Sequence, residues 1–204
     1  MKRLLALSLT AFAGCSTFDT PGTTRPLHLI APAPPTQAAP VAPSLRVRAF
    51  AVESGFAGFD LVWRRDGAWQ QDAYHGWLAR PADMLADASV AWLGGSGCFS
   101  RVQRDGLTLT TDRTLEASVT RLAADLDAKP PCASIAITFY LTGRDVEPLV
   151  VHAEACAPMR STDAASAVQA WDAALAECLG KFAEAVKSRG PTAPNTAPST
   201  SPAR

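Results

Sequence analysis

The chain has little of what catalysis or membrane crossing requires. Only three histidines occur in 204 residues, His28, His75 and His152. No HExxH pattern places them as metal ligands on a helix. There is no CxxC pair, no GxSxG nucleophile elbow, and no GxGxxG, GxxxxGKS or GxxxxGKT loop to cradle phosphate. Lys plus Arg equals Asp plus Glu, 19 of each, so no basic surface for nucleic acid is expected. No internal repeat is visible. The uncharged run that opens the chain, Leu4 to Gly14, spans 11 residues. A bilayer-spanning helix needs about twenty. These absences argue against an enzyme and a nucleic-acid binder, the opening run is too short to stay across a bilayer, and no metal or cofactor is expected.

What the N-terminus does have is a short basic head, Lys2 and Arg3, then the apolar run, then Ala13-Gly14-Cys15. A basic head before roughly 7–15 apolar residues is the plan of a secretory signal peptide. Small residues admit the backbone to a peptidase cleft, and a thiol at the new N-terminus can be acylated. The segment therefore resembles a bacterial lipoprotein signal, with residues 1–14 removed and Cys15 carrying the lipid. Loss of Lys2 and Arg3, with no acid removed, shifts the formal charge from zero to −2.

Four cysteines remain: Cys98, Cys132, Cys156 and Cys178. In an oxidising compartment an even count suggests disulfides, with four buried thiols as the alternative. Cys132 and Cys156 stand at mirrored places about a turn at Gly143–Asp145 and suit a cross-hairpin bridge. Cys98 and Cys178 are left as a second candidate pair.

Proline sets the boundaries. Seven of sixteen prolines fall between Ser16 and Ser44, and four lie after Gly190. Residues 15–44 read as the acylated cysteine and an extended Pro-rich tether interrupted by one apolar island, Leu27-His28-Leu29-Ile30. Residues 189–204 read as a disordered tail. The folded domain is placed at 45–188.

Within it, LRVRAFAVE (45–53) alternates as a half-buried strand, and FDLVWRR (59–65) leads through Asp66-Gly67 into a hairpin. Pro81 opens a helix that Gly94-Gly95-Ser96-Gly97 is expected to stop. CFSRV (98–102), LEASVTRL (115–122), CASIAITFYL (132–141) and EPLVVHAEAC (147–156) read as strands. Asp163 caps a last helix with Val168, Trp171, Leu175, Cys178, Leu179, Phe182 and Val186 in one apolar stripe. The expected fold is an α+β sandwich, a largely antiparallel sheet with two main helices on one face.

Two spots invite chemistry. Asp72 stands three residues before His75, which reads as polar pairing in a loop rather than an acid–base pair. Ser96 lies between glycines but has no identifiable base. The aromatic segment 56–77 is more telling: Phe56, Phe59, Trp63, Trp69, Tyr74 and Trp77. Trp63 and Trp77 fit the core. Exposed aromatics beside arginine are the composition of a protein interface, so Trp69, Arg64, Arg65 and Tyr74 are the candidate partner surface, with Trp69 expected to be exposed.

The pieces LHLI, LRVRAF, LVWR, DAYHGWLARPADML, WLGGSGCFSRV and AWDAALAECLGKFAEAV, in that order over residues 26–188, resemble the ABC-type transport auxiliary lipoproteins. These are the lipoprotein partners of MCE-type lipid transport systems and their paraquat-inducible relatives. The resemblance implies a non-catalytic periplasmic domain anchored by acyl chains such as palmitate. Its partners would be an MCE-domain protein and the associated ABC permease and ATPase, with self-association left open. It also implies docking at the outer membrane, and Ser16 after Cys15 lacks the Asp that favours inner-membrane retention. A second functional class, a periplasmic carrier enclosing acyl chains, would need a large apolar cavity between helices and sheet. The alanines of 164–185 favour close packing instead.

Overall fold

The computed structural model describes residues 24–36, 40–144 and 147–189. The signal peptide, Cys15 and the tail beyond Arg189 lie outside the described residues. Among those described, no helix is long and apolar enough to cross a membrane.

Nine strands form one sheet: β1 Leu27–His28, β2 Leu45–Val47, β3 Ala51–Val52, β4 Asp60–Arg65, β5 Ala68–Trp77, β6 Val102–Arg104, β7 Arg113–Asp125, β8 Cys132–Gly143 and β9 Leu149–Pro158. Two helices, α1 Pro81–Ser96 and α2 Ala164–Ser188, pack on one face and touch each other. The fold is the expected α+β sandwich. Its long ladders, β4–β5, β7–β8 and β8–β9, are antiparallel. Strand β7 is the hub. One edge pairs with β8 along its length, while the other takes three short strands in succession, all parallel: β2 at Leu45↔Arg113, β3 at Ala51↔Ser118 and β4 at Trp63↔Ala124.

Local chemistry explains the elements. Asp66 and Gly67 take positive φ, 52° and 75°, as a tight two-residue hairpin requires. Both turn amides donate to the Asp127 carboxylate at 2.8 Å. Asp163 accepts from the Ser166 amide at 2.8 Å and caps α2. The layer between helices and sheet is filled by rings: Trp77 meets Trp171 and Phe139 meets Phe182, each at 5.0 Å between centroids.

Helix α1 ends inside the expected Gly94–Gly97 stretch, running through Gly94, Gly95 and Ser96 and closing at Gly97, φ 68°. Gly95 is a site of close approach, because a Cβ there would lie 2.5 Å from Pro34 Cβ. Ser96 is buried, donates to the Leu93 carbonyl and accepts from the Cys98 amide, so it closes the helix end. After the helix, Phe99 makes one isolated bridge with Ala42 and the continuous strand follows at Val102–Arg104; Cys98 and Phe99 are buried.

The Pro-rich segment is not a free tether over its described residues. Leu27 and His28 pair with β5, while Ile30, Ala42 and Ser44 are buried. The Ala31 amide donates to Asp172 of α2 at 2.7 Å. At the other end, Arg189 is not tail but donates to the carbonyls of Glu147 and Pro148.

Cys132 and Cys156 are bridged, with Cα atoms 5.6 Å apart, inside the range disulfides use. They are not direct cross-strand partners, since Cys132 pairs with Pro158 and Cys156 with Ser134. The bridge is diagonal, offset by two residues. The proposed Cys98–Cys178 bridge is absent, and both are free, fully buried thiols. Cys98 Sγ points at the Ala183 carbonyl, five residues past Cys178, which is about 7.5 Å along a helix. Burial pushes the Cys178 thiol up to about 12. Peptide mapping under non-reducing conditions should find one bridge and two thiols that react only after unfolding. Replacing Cys132 and Cys156 by Ser opens a loop of separation 24 and should cost about 3 kcal/mol, read from urea unfolding.

Candidate functional site

The candidate residues all lie on the β4–β5 hairpin, and the structure divides them between two surfaces. Arg64 and Trp69 are paired positions of the ladder, and strand alternation directs them away from the helix face on which Trp63 is buried. Trp69 is 55% exposed. Its ring meets Phe56 edge-on at 6.0 Å, and the Arg64 guanidinium lies 5.9 Å from its centroid. Arg64 is held in turn by Asp125 at 3.2 Å and Asp127 at 3.9 Å. Asp125 and Asp127 thus brace the cation beside the indole. Phe56, on the short 3-10 turn before β4, is a member that sequence reasoning left unassigned.

Arg65 and Tyr74 belong elsewhere. They line a cleft of about 340 Å³ with Gln70 and Asp72, facing Thr162 and Asp163 at the start of α2. Tyr74 is 75% exposed. The cleft exists because β5 bulges. Asp60 pairs with Gly76 and Val62 with Gln71, so the four residues 72–75 oppose Leu61 alone. The bulge removes ladder partners from several backbone groups, and Asp72 replaces them. One carboxylate oxygen accepts from the amides of Tyr74 at 2.7 Å and His75 at 3.0 Å. The other accepts from Trp63 Nε1 at 3.0 Å and contacts His75 Nδ1 at 3.0 Å. Burial tends to raise the Asp72 pKa, but these hydrogen bonds outweigh it and hold the carboxyl below its usual range. The Asp72–His75 pair is thus real but lies within a strand, where the carboxylate clasps the backbone.

Arg25 completes the clasp from the other side. It donates to the Asp72 carbonyl at 3.1 Å and to the His75 carbonyl, and it pairs with Asp60 at 2.5 Å. Gly76 leaves the room it needs, since a Cβ there would sit 2.9 Å from Arg25 Nη2 and 2.8 Å from the Phe59 oxygen. Sequence reasoning missed Arg25, whose only signal is its place just before the Leu27–Ile30 island. Next to the clasp, the His28 and His75 rings are 5.6 Å apart. His28 Nε2 is buried without a hydrogen-bond partner among the described residues.

Two outcomes follow from this geometry. Asp72→Ala strands several donors and should destabilise the domain by about 2 kcal/mol, seen as a lower Tm. Burial first, then the nearby charge of His75, lowers the His28 pKa from 6.5, with Asp72 opposing. The unfolded or undocked segment therefore takes the proton first. Docking of residues 27–30 should be complete above the ordinary imidazole value and weaken as pH falls below it. Deuterium exchange of those amides against pH checks this, and His28→Phe should flatten the profile.

Comparison with solved structures places the fold among known ones. A protein of Xanthomonas campestris is 24% identical with a TM-score of 0.61, covering 78% of this chain and 90% of that one. An uncharacterised protein is 16% identical with a TM-score of 0.59, covering 76% and 97%. A hypothetical protein of Chlamydia trachomatis is 8% identical with a TM-score of 0.50, covering 72% and 99%. These likenesses establish the fold alone. Comparison with curated proteins yields no match. The family model described as the ABC-type transport auxiliary lipoprotein component matches residues 27–183. An auxiliary component of this kind works with a transport system in the cell envelope. The match takes in the docked island at Leu27 and nearly all of α2, and the chain belongs to the ABC-type transport auxiliary lipoprotein family.

Proposed function

We propose that this protein is a non-catalytic docking subunit of an MCE-type ABC lipid transport system that maintains the outer membrane. On this reading the domain is held at the periplasmic face of that membrane through acylated Cys15. It engages an MCE-domain partner, and with it the permease and ATPase. The observation that carries the proposal is the Phe56–Trp69–Arg64 cluster. Trp and Arg dominate the energetic centres of interfaces, and an exposed indole already fixed by neighbours loses little freedom on binding.

The carrier alternative has less support. Acyl chains would have to occupy the layer between helices and sheet, and that layer is occupied by Trp77, Trp171, Phe139 and Phe182, all fully buried. Opening it would break contacts packed at interior density.

Trp69→Ala should reduce capture of the MCE-type partner by about tenfold or more, roughly 1.4 kcal/mol or above, with circular dichroism unchanged. Arg64→Ala should show a smaller loss. Tyr74→Ala and Arg65→Ala, on the cleft, separate the two surfaces: if they weaken capture and Trp69→Ala does not, the contact lies in the cleft. The anchor is tested separately. Cys15→Ser should leave the precursor unprocessed by the lipoprotein peptidase and without fatty acid.

A further inference from the structure

We infer that the sheet end formed by Leu27, Leu29, Phe59 and Leu78 is a membrane-contact face, seated on the lipid surface that holds the N-terminal anchor. The inference rests on acylation of Cys15. The four side chains are 54%, 44%, 47% and 56% exposed, a large apolar display for the end of one sheet. Main-chain hydrogen bonds join the three segments that carry them. The Leu78 amide donates to the His28 carbonyl at 2.9 Å, and the Trp77 amide donates to the Phe59 carbonyl at 2.7 Å. Leu29 continues the surface into an apolar groove of about 300 Å³ with Ile30, Pro32, Met84 and Ala88.

Charge fits the same occupant. The carboxylates near this end are paired: Asp60 with Arg25 at 2.5 Å, while Arg104 is shared by Asp87 at 2.6 Å and Asp83 at 3.0 Å. The Arg80 guanidinium lies 5.9 Å from the Phe59 ring centroid. An exposed arginine stacked on an aromatic at the edge of an apolar patch puts a cation at the level where lipid phosphates lie.

The point at which the chain enters the domain favours the lipid surface over other apolar partners. Arg25 is fixed to the domain by the clasp, and only ten positions separate it from Cys15. Fully extended, that is at most about 35 Å. The chain enters the domain through Leu27, which is itself part of the patch, so the anchor leads from this end of the sheet to the bilayer. The acyl chains supply the holding energy, and the patch needs only to orient the domain.

The test uses the full lipoprotein, processed in cells and reconstituted into phosphatidylethanolamine–phosphatidylglycerol vesicles. An environment-sensitive fluorophore is placed through Leu78→Cys and, as a distant control, Gln70→Cys. Cys98 and Cys178 are fully buried and stay unlabelled in the native protein. The Leu78 probe should shift to the blue and be quenched by spin-labelled lipids, while the Gln70 probe does neither. Leu27→Ser with Leu29→Ser should reverse the Leu78 response without releasing protein from the vesicles. Floating, acylated protein with a water-exposed Leu78 probe overturns the contact and leaves the anchor standing. Protein without fatty acid overturns the anchor and this inference with it. A blue shift that appears only as copies per vesicle increase assigns the face to a second copy and also overturns it.

Discussion

The arrangement depends on how the β5 bulge is satisfied. Four residues against one leave amides and carbonyls without ladder partners, and each such group costs about 1–3 kcal/mol when shielded from water. Asp72 supplies the acceptors and Arg25 the donors. The Arg25–Asp60 pair is itself about a third exposed, so its Coulombic part contributes little. Its importance is positional. Because Arg25 must reach the carbonyls of the bulge, the segment behind it is drawn against β5, and Leu27 and His28 pair there. Ile30 then enters the core, and Pro34 comes down on Gly95. A local irregularity in one strand thereby ties the N-terminal segment to both helices.

The second constraint is the hub strand. β7 carries a full antiparallel partner on one edge and three short parallel partners on the other. The chain from 45 to 65 therefore crosses the edge of β7 in three steps, and the breaks between steps accommodate the turn that holds Phe56. That turn brings Phe56 beside Trp69, while the Asp125 end of β7 reaches Arg64. The candidate interface is assembled by the same topology that fills the core.

Much of this was legible from residue patterns because it is local. The Asp163 cap, the apolar stripe of α2, the Asp66-Gly67 turn and the exposure of Trp69 each follow from a few neighbouring residues. What escaped depends on distant contacts. Gly94–Gly97 reads correctly as the end of α1, but nothing nearby shows that Pro34 requires a residue without Cβ at 95. The Pro-rich stretch reads as a tether, because its composition cannot show that Arg25 has carbonyls to meet 47 and 50 residues away. The cross-hairpin bridge was recognisable but its register was not: a turn centre displaced by one residue moves the pairing by two. Cys98 and Cys178 share a core without sharing a bond, a distinction of a few ångströms that spacing does not encode.

On the proposed reading, docking of the N-terminal segment changes what the subunit can do. A free tether of thirty residues would let the domain search the periplasm, whereas ten positions would keep it within about 35 Å of an acylated Cys15. The β4–β5 hairpin then has two ends with opposite roles on the proposed reading. Phe59 and Leu78 lie at the end facing the membrane, and Arg64 and Trp69 lie five β4 residues away, about 17 Å at strand rise. Asp125 and Asp127 brace Arg64, and Asp127 also closes the turn that joins the strands. A rigid hairpin standing on a lipid surface presents its indole at a defined height. A partner that bridges the periplasm would meet it there.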